Sequence, residues 1–268
     1  MNRIDATLAR LQSSNRKMLS PYITAGDPTA DSTVSLMHAL VKAGADVLEI
    51  GIPFSDPMAE GPVIQAAMER ALQQGITPDH VLDMIAAFRE QDKQTPVILM
   101  GYLNPVEAYG YRRFAEKARK AGVDGTILVD LPPEESEETA AIWQEEGLHN
   151  IYLCSPTTSD KRMDLINRYG GGYLYYVSLK GVTGAGSFQL EDVKTQYQHR
   201  KSQTSLPLMV GFGIKTPDMA ARVADFADGV IVGAALIDRM FESYGQQGDF
   251  IAEGAALIGD MRRAMDHQ

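Results

Sequence analysis

The sequence predicts an α/β protein: a (β/α)8 TIM barrel with an extra N-terminal helix and additional helices in the loops. Three observations predict it. Eight short apolar segments recur along the chain, with helical spacing between them. The segments are nearly continuous apolar runs, as parallel strands covered on both faces should be. One helix-to-strand junction repeats along the chain, and the 268 residues fit a single barrel, which takes ~250. One domain spanning 1–268 is therefore expected.

Taken in order, Ile4, Leu8 and Leu11 share one helical face, read as an extra helix closing the bottom of the barrel. The strand-length segments are 19–24, 46–52, 97–102, 124–130, 149–154, 173–178, 207–212 and 228–233. Val34, Met37 and Val41 stand at helical spacing before Gly44, as do Phe114, Ala118 and Ala121 before Gly122. A glycine after the last periodic residue is a stop signal. Pro132-Pro133 is expected to open a helix with Glu134, Glu135, Glu137 and Glu138 in its first turn, where acids complement the dipole. The rival reading of those acids is an interaction surface. The tail, 248–265, reads as a final packing helix. Ala43-Gly44-Ala45-Asp46, Ala121-Gly122-Val123-Asp124 and Asp228-Gly229-Val230 are the repeated strand entries. An open doubly wound sheet is the rival fold, but its usual G-x-G-x-x-G is absent.

Charge and cysteine content narrow the function. The net charge is −10, from 25 Lys+Arg against 35 Asp+Glu, with no basic cluster. Such a chain repels nucleic acid and anionic lipid. No apolar run approaches the ~20 residues of a membrane span. Met1-Asn2-Arg3-Ile4-Asp5 lacks the apolar core of a signal peptide. A cytoplasmic protein is expected, without nucleic-acid or membrane partners. Cys154 is the only cysteine, which excludes an internal disulfide, and it reads as a small core residue. Histidines 38, 80, 149, 199 and 267 follow no metal-ligand spacing, so no metal is expected. His38 reads as a surface or packing residue.

A barrel places its active site at the C-terminal strand ends. Glu49 stands in the apolar run Val47-Leu48-Glu49-Ile50. Burial there would raise its pKa and suit it to proton transfer near neutrality; the rival reading is a structural glutamate satisfied by a neighbouring donor. The loop 51–62 holds three prolines and ends near Glu60, which reads either as a site carboxylate or as an ordinary helix-start acid. Segment 179–187, with Gly181, Gly184 and Gly186, reads as a mobile lid or a plain surface loop. Gly211-Phe212-Gly213-Ile214 and Gly233-Ala234-Ala235 follow the last two strands, where barrels bind phosphate on backbone N–H groups and helix N-termini.

Those residues resemble a known family. Leu48-Glu49-Ile50-Gly51-Ile52-Pro53-Phe54-Ser55-Asp56-Pro57, with Gly61-Pro62 and Gln65, is similar to the signature of tryptophan synthase α chains. Pro21-Tyr22-Ile23-Thr24-Ala25-Gly26-Asp27-Pro28, Gly101-Tyr102-Leu103-Asn104-Pro105, Asp130-Leu131-Pro132, Gly181-Val182-Thr183-Gly184 and Gly211-Phe212-Gly213-Ile214 follow in the family's order. The resemblance covers essentially the whole chain.

It implies retro-aldol cleavage of indole-3-glycerol phosphate to indole and glyceraldehyde 3-phosphate. Glu49 becomes the proton-shuttling acid and base, and Glu60 the carboxylate facing the indole N–H. Tyr175 would orient Glu49, and Thr183 would belong to the closing lid. Tyr22, Met100, Ile127, Leu153 and Phe212 would wall the indole pocket. Gly184, Gly213, Gly233 and Ala234 would receive the phosphate. Pro53, Asp56, Pro57, Asn104 and Pro132 would meet a β subunit in an α2β2 heterotetramer. No cofactor is implied in this chain, since pyridoxal phosphate belongs to the β subunit.

There are three departures from the family pattern. Glu60 stands where aspartate is usual, Ala234 stands where serine is usual, and Leu179-Lys180 replaces an arginine and a small residue. Two alternatives accompany this reading: a Schiff-base aldolase using Lys180, and a catalytically weak subunit that mainly activates its partner.

Overall fold

The computed structural model describes residues 2–177, 187–211 and 213–267. Their parallel strands are β1 (Met18–Thr24), β2 (Leu48–Gly51), β3 (Val97–Gly101), β4 (Gly125–Leu128), β5 (His149–Asn150), β6 (Leu153–Cys154), β7 (Leu174–Val177), β8 (Leu208–Gly211) and β9 (Gly229–Val232). The sheet order is β5-β4-β3-β2-β1-β9-β8-β7-β6. Both ends of that order belong to one segment, 149–154. Ile151 N donates to Thr126 O at 2.9 Å, and Tyr175 N donates to Tyr152 O at 2.9 Å, so this segment closes the ring. The single strand expected over 149–154 is thereby corrected to two short ones. At the seam, pairing passes from one neighbour to the other, and each neighbour receives only two residues.

Helices cover the outside: α1 (Arg3–Ser13), α2 (Thr33–Lys42), α3 (Pro62–Gln73), α4 (Pro78–Gln91), α5 (Leu103–Tyr109), α6 (Tyr111–Ala121), α7 (Glu137–Glu145), α8 (Asp160–Tyr169), α9 (Ser187–Lys201), α10 (Pro217–Ala224), α11 (Ala234–Gly245) and α12 (Phe250–Asp266). The expected stops hold, with Gly44 at φ 112° and Gly122 at φ 94°, a left-handed backbone that glycine adopts without strain. Phe114, Ala118 and Ala121 are buried, as their spacing requires. Pro132-Pro133 opens only a 3₁₀ turn, 133–135, and helix α7 starts at Glu137. Ser136 Oγ donates to Pro132 O at 2.7 Å, one local bond that holds the turn apart from the helix. No helix among the described residues is long and apolar enough to cross a membrane.

Helix α1 seals the bottom of the barrel. Asn2 caps it by accepting from Ile4 N. Asn2 Nδ2 donates to Asp124 O and Gly147 O, at 2.8 and 2.9 Å. Ile4 is fully buried and reaches the inside of β4: a Cβ on Gly125 would lie 3.3 Å from Ile4 Cδ1.

The repeated Asp in the sequence has a physical cause at this same end. Asp46, Asp124 and Asp228 each accept a backbone N–H from the start of the preceding strand, from Leu19 (3.1 Å), Val97 (2.9 Å) and Leu208 (2.8 Å). A cation backs each one: Arg262 at 3.2 Å, Arg89 at 3.0 Å and Lys201 at 2.7 Å. These bonds fix the register of neighbouring strands. Asp124 and Arg89 are both buried, so Asp124→Ala takes from the buried guanidinium its closest carboxylate and leaves only Asp92, at 3.7 Å. It is expected to cost about 3–5 kcal/mol, read as a lowered urea midpoint with the slope unchanged.

Candidate active site

Side chains alternate along a strand, and on β1 the inward set is Ser20, Tyr22 and Thr24. On β2 it is Glu49 and Gly51, with Tyr22 in register with Glu49. Glu49 is wholly buried. Its Oε1 accepts two hydrogen bonds, from Tyr173 Oη at 2.6 Å and Ser20 Oγ at 3.2 Å. Its Oε2 has no hydrogen-bond partner among the described residues. Burial pushes the carboxyl pKa up to about 7, against the opposing pull of the two donors.

The resemblance had Tyr175 orient Glu49; the tyrosine that hydrogen-bonds the carboxyl is Tyr173, just before β7 and across the ring from β2. Tyr175 lies two residues further toward the mouth, half-buried, in register with Leu153. It leans over Gly211, where a Cβ would sit 2.1 Å from its Oη. Tyr22 leans over Gly51 in the same way, at 2.1 Å. Each glycine lets a tyrosine ring lie across the neighbouring strand.

Glu60 is half-buried at the end of the loop after β2. Several contacts shape that loop. Glu60 N donates to Pro57 O at 3.0 Å, and Gln65 Nε2 donates to Glu60 O at 2.8 Å. Ala59 N donates to Tyr102 Oη at 3.1 Å, and Phe54 stacks on the Tyr102 ring at 5.3 Å. Burial pushes the Glu60 carboxyl up to about 7. The Tyr102 hydroxyl is raised to about 12, first by burial and then by Glu60. Burial chiefly raises Tyr22 and Tyr175 too, and both carboxylates, Glu49 and Glu60, add to it. The two acids thus border one space.

Met100 and Ile127 are buried and in register with each other, and Leu153 is half-buried. Gly213 has φ 81°. Gly233 caps helix α11, and a Cβ there would lie 3.5 Å from the Tyr22 ring, so this helix start flanks Tyr22. Leu236 N and Ile237 N already bond to Gly233 O. The N–H groups of Ala234 and Ala235 come before that ladder begins, and such leading donors suit an anion. Asp27, Arg70 and Phe241 brace these parts. Arg70 grips Asp27 at 2.6 and 2.9 Å and lies 3.7 Å from the Phe241 ring centre. One side chain thereby ties the loop after β1 to helices α3 and α11.

Thr183, Gly184 and Phe212, with Lys180 of the aldolase alternative, lie outside the described residues. Of the expected partner surface, Asp56 and Asn104 are exposed, Pro57 and Pro132 half-buried, and Pro53 buried. Met58 beside them is 78% exposed. Cys154 is buried and its thiol is pushed up to about 12, which makes it inert. His38 packs on Phe88 at 4.7 Å. No group of three or more His, Cys, Asp or Glu among the described residues is placed to hold a metal ion.

Sequence reasoning missed Ser20, Tyr173 and Tyr102. The first two carried a signal. Ser20 shares the period of Tyr22 and Thr24, and Tyr173 that of Tyr175, so strand alternation alone puts them on the inward face.

A glutamate buried inside a (β/α)8 barrel and a second, half-buried one in the loop beyond its strand, both pushed upward in pKa by burial, are what an acid–base enzyme of this fold class requires. Comparison with known proteins gives the particular family. The tryptophan synthase alpha chain family model matches residues 8–266. The tryptophan synthase alpha chain of Legionella pneumophila (strain Lens) is 64% identical over 267 residues, covering 100% of this chain and 98% of the relative. That of Laribacter hongkongensis (strain HLHK9) is 52% identical, covering 99% and 100%. The crystal structure of tryptophan synthase subunit alpha from Legionella pneumophila str. Paris superposes with a TM-score of 0.96 at 62% identity, covering 100% of both chains. The chain belongs to the tryptophan synthase alpha chain family.

Proposed function

We propose that Glu49 and Glu60 carry out the reaction of this family. A tryptophan synthase alpha chain is a lyase that cleaves indole-3-glycerol phosphate to indole and glyceraldehyde 3-phosphate. It works with a β subunit in an α2β2 complex, and the pyridoxal phosphate belongs to that partner. The observation that carries the residue assignment is the pair of carboxyls, each raised to about 7, bordering the same two tyrosines.

The protonated Glu49 gives its proton to indole C3. The ring becomes an electron sink, with positive charge near N1. The Glu60 carboxylate lies beside that nitrogen and stabilises the charge in a site screened from water. Glu49, now ionised, takes the proton of the glycerol hydroxyl. The C–C bond breaks, its electrons return to the ring, and the hydroxyl carbon becomes the aldehyde. Glu49 ends protonated, so the cycle consumes neither water nor a redox equivalent. Tyr22, Met100, Ile127, Leu153 and Tyr175 wall the indole, with Phe212 added from the resemblance. The N–H groups at Gly213, Gly233 and Ala234 receive the phosphate, with Gly184 and the lid residue Thr183 assigned from the resemblance. Backbone donors serve without the usual serine hydroxyl at 234. A crystal structure with a bound substrate analogue tests this cast. The Glu60 carboxylate is expected within hydrogen-bond reach of the indole nitrogen; a Glu60 turned to solvent contradicts it.

The β subunit docks, on this reading, over Asp56, Pro57, Asn104 and Pro132, with the buried Pro53 stiffening the root of the loop. That loop also carries Glu60, so docking orders the site and raises activity in a cytoplasmic complex. Asp56→Ala is expected to reduce stimulation by the β subunit several-fold more than it reduces the activity of the chain alone. Steady-state assays with and without the β subunit check this, and equal losses in both count against coupling through the loop.

A further inference from the structure

We infer that Ser20 is a positioning residue for Glu49: with Tyr173 it ties down one carboxylate oxygen, and so makes Oε2 the oxygen that carries the transferred proton. The inference rests on the reading of Glu49 as the proton shuttle. It goes beyond that reading by naming which atom acts and what selects it.

Three observations support it. Both donors converge on Oε1, Tyr173 Oη at 2.6 Å and Ser20 Oγ at 3.2 Å. Ser20 and Glu49 are both fully buried, and Tyr173 is too, so water does not substitute for either bond. Oε2 is buried with no partner among the described residues, although an unmet carboxylate oxygen is costly in the interior. A glutamate kept only for structure would have both oxygens satisfied. This one has its donors stacked on a single side, which leaves the other oxygen free for a substrate atom. The donors come from opposite parts of the ring, β1 and the residue before β7. Together they hold the carboxyl plane as one bond could not. Tyr173 accounts for the stronger bond, and Ser20 fixes the rotation about it.

Ser20→Ala removes one atom and leaves no room for water. A donor to a carboxylate favours the ionised form, so its loss raises the Glu49 titration midpoint. The full chain, labelled with [δ-13C]glutamate, gives that midpoint by NMR. The Glu49 signal is assigned by its absence in Glu49→Gln. Ser20→Ala is expected to move the midpoint upward by about half a unit to one unit. In the complex with the β subunit it is expected to lower kcat about threefold to tenfold with KM within about twofold, as loss of a contact that matters in the transition state does. Ser20→Thr keeps the hydroxyl and retains both values. Tyr173→Phe moves the midpoint further than Ser20→Ala, and stands in should Ser20→Thr fail to fold. A Ser20→Ala protein with unchanged midpoint and unchanged kcat overturns the inference, as does a loss that a folded Ser20→Thr protein does not restore. The midpoint belongs to the resting protein and is read whether or not Glu49 catalyses. If Glu49→Gln turns over normally, the shuttle assignment fails separately.

Discussion

Glu49→Gln is expected to lower indole-3-glycerol phosphate cleavage by about 10⁴-fold or more, the upper end of what acid–base catalysis supplies. On the proposed reading one residue serves two proton transfers, so its loss stops both. The amide keeps the shape, and its oxygen still accepts from Tyr173 and Ser20, so folding stays intact. Stability gives an independent reading with a definite sign. The folded-state pKa, about 7, lies above the ordinary 4.5. Between those values the folded protein holds a proton that the unfolded chain has lost, so stability falls as pH rises through that window. Glu49→Gln lacks the titration and is expected to be more stable than wild type at pH 8, by roughly 3 kcal/mol, with little advantage below pH 4.5. Urea unfolding at both pH values, beside the activity assay, checks the pair. A folded variant with near-normal turnover refutes the assignment.

Glu60→Gln is expected to abolish most of the activity, by about 10²–10³-fold, the range seen when one electrostatic stabiliser is lost. An amide carries no charge to set against the cationic ring. Glu60→Asp is expected to retain substantial activity without improving on wild type. The side chain is one methylene shorter, so the carboxylate is kept but stands slightly back from its place, which lowers the rate without removing the charge. The backbone of Ala59 and Glu60 is held by bonds to Pro57, Gln65 and Tyr102, so the shorter side chain must reach from a fixed loop. Since the Glu60 carboxyl is also raised to about 7, kcat/KM in wild type is expected to fall as pH drops below neutrality, as Glu60 loses its charge. Glu60→Gln removes that limb. Kinetics of the three proteins from pH 5.5 to 9 decide; wild-type turnover by Glu60→Gln makes the residue a bystander.

Much of the barrel was legible because parallel strands buried on both faces leave continuous apolar runs, and because Gly44 and Gly122 mark helix ends by a backbone only glycine adopts readily. The Asp46, Asp124 and Asp228 entries were visible as a repeat. Their purpose, clamping an N–H at the start of the neighbouring strand, appears only when strands far apart in sequence are placed side by side. Residues 149–154 read as one strand, since the split at the seam depends on partners and not on local pattern. Glu49 stood out as a charge in an apolar run. Its donors did not: Ser20 is a small residue and Tyr173 one of several tyrosines, and the contact between Tyr173 and Glu49 spans 124 positions. The resemblance gave the orienting role to Tyr175; the hydrogen bond to Glu49 comes from Tyr173, two residues earlier and on the same face.

The most direct test of the account is release of indole from indole-3-glycerol phosphate by the purified chain, with and without the β subunit. The expected result is indole formed by the chain alone, faster when the β subunit is bound, and inorganic phosphate slowing the reaction by competing at the start of helix α11. Absence of indole under both conditions, from a protein shown to be folded, contradicts it.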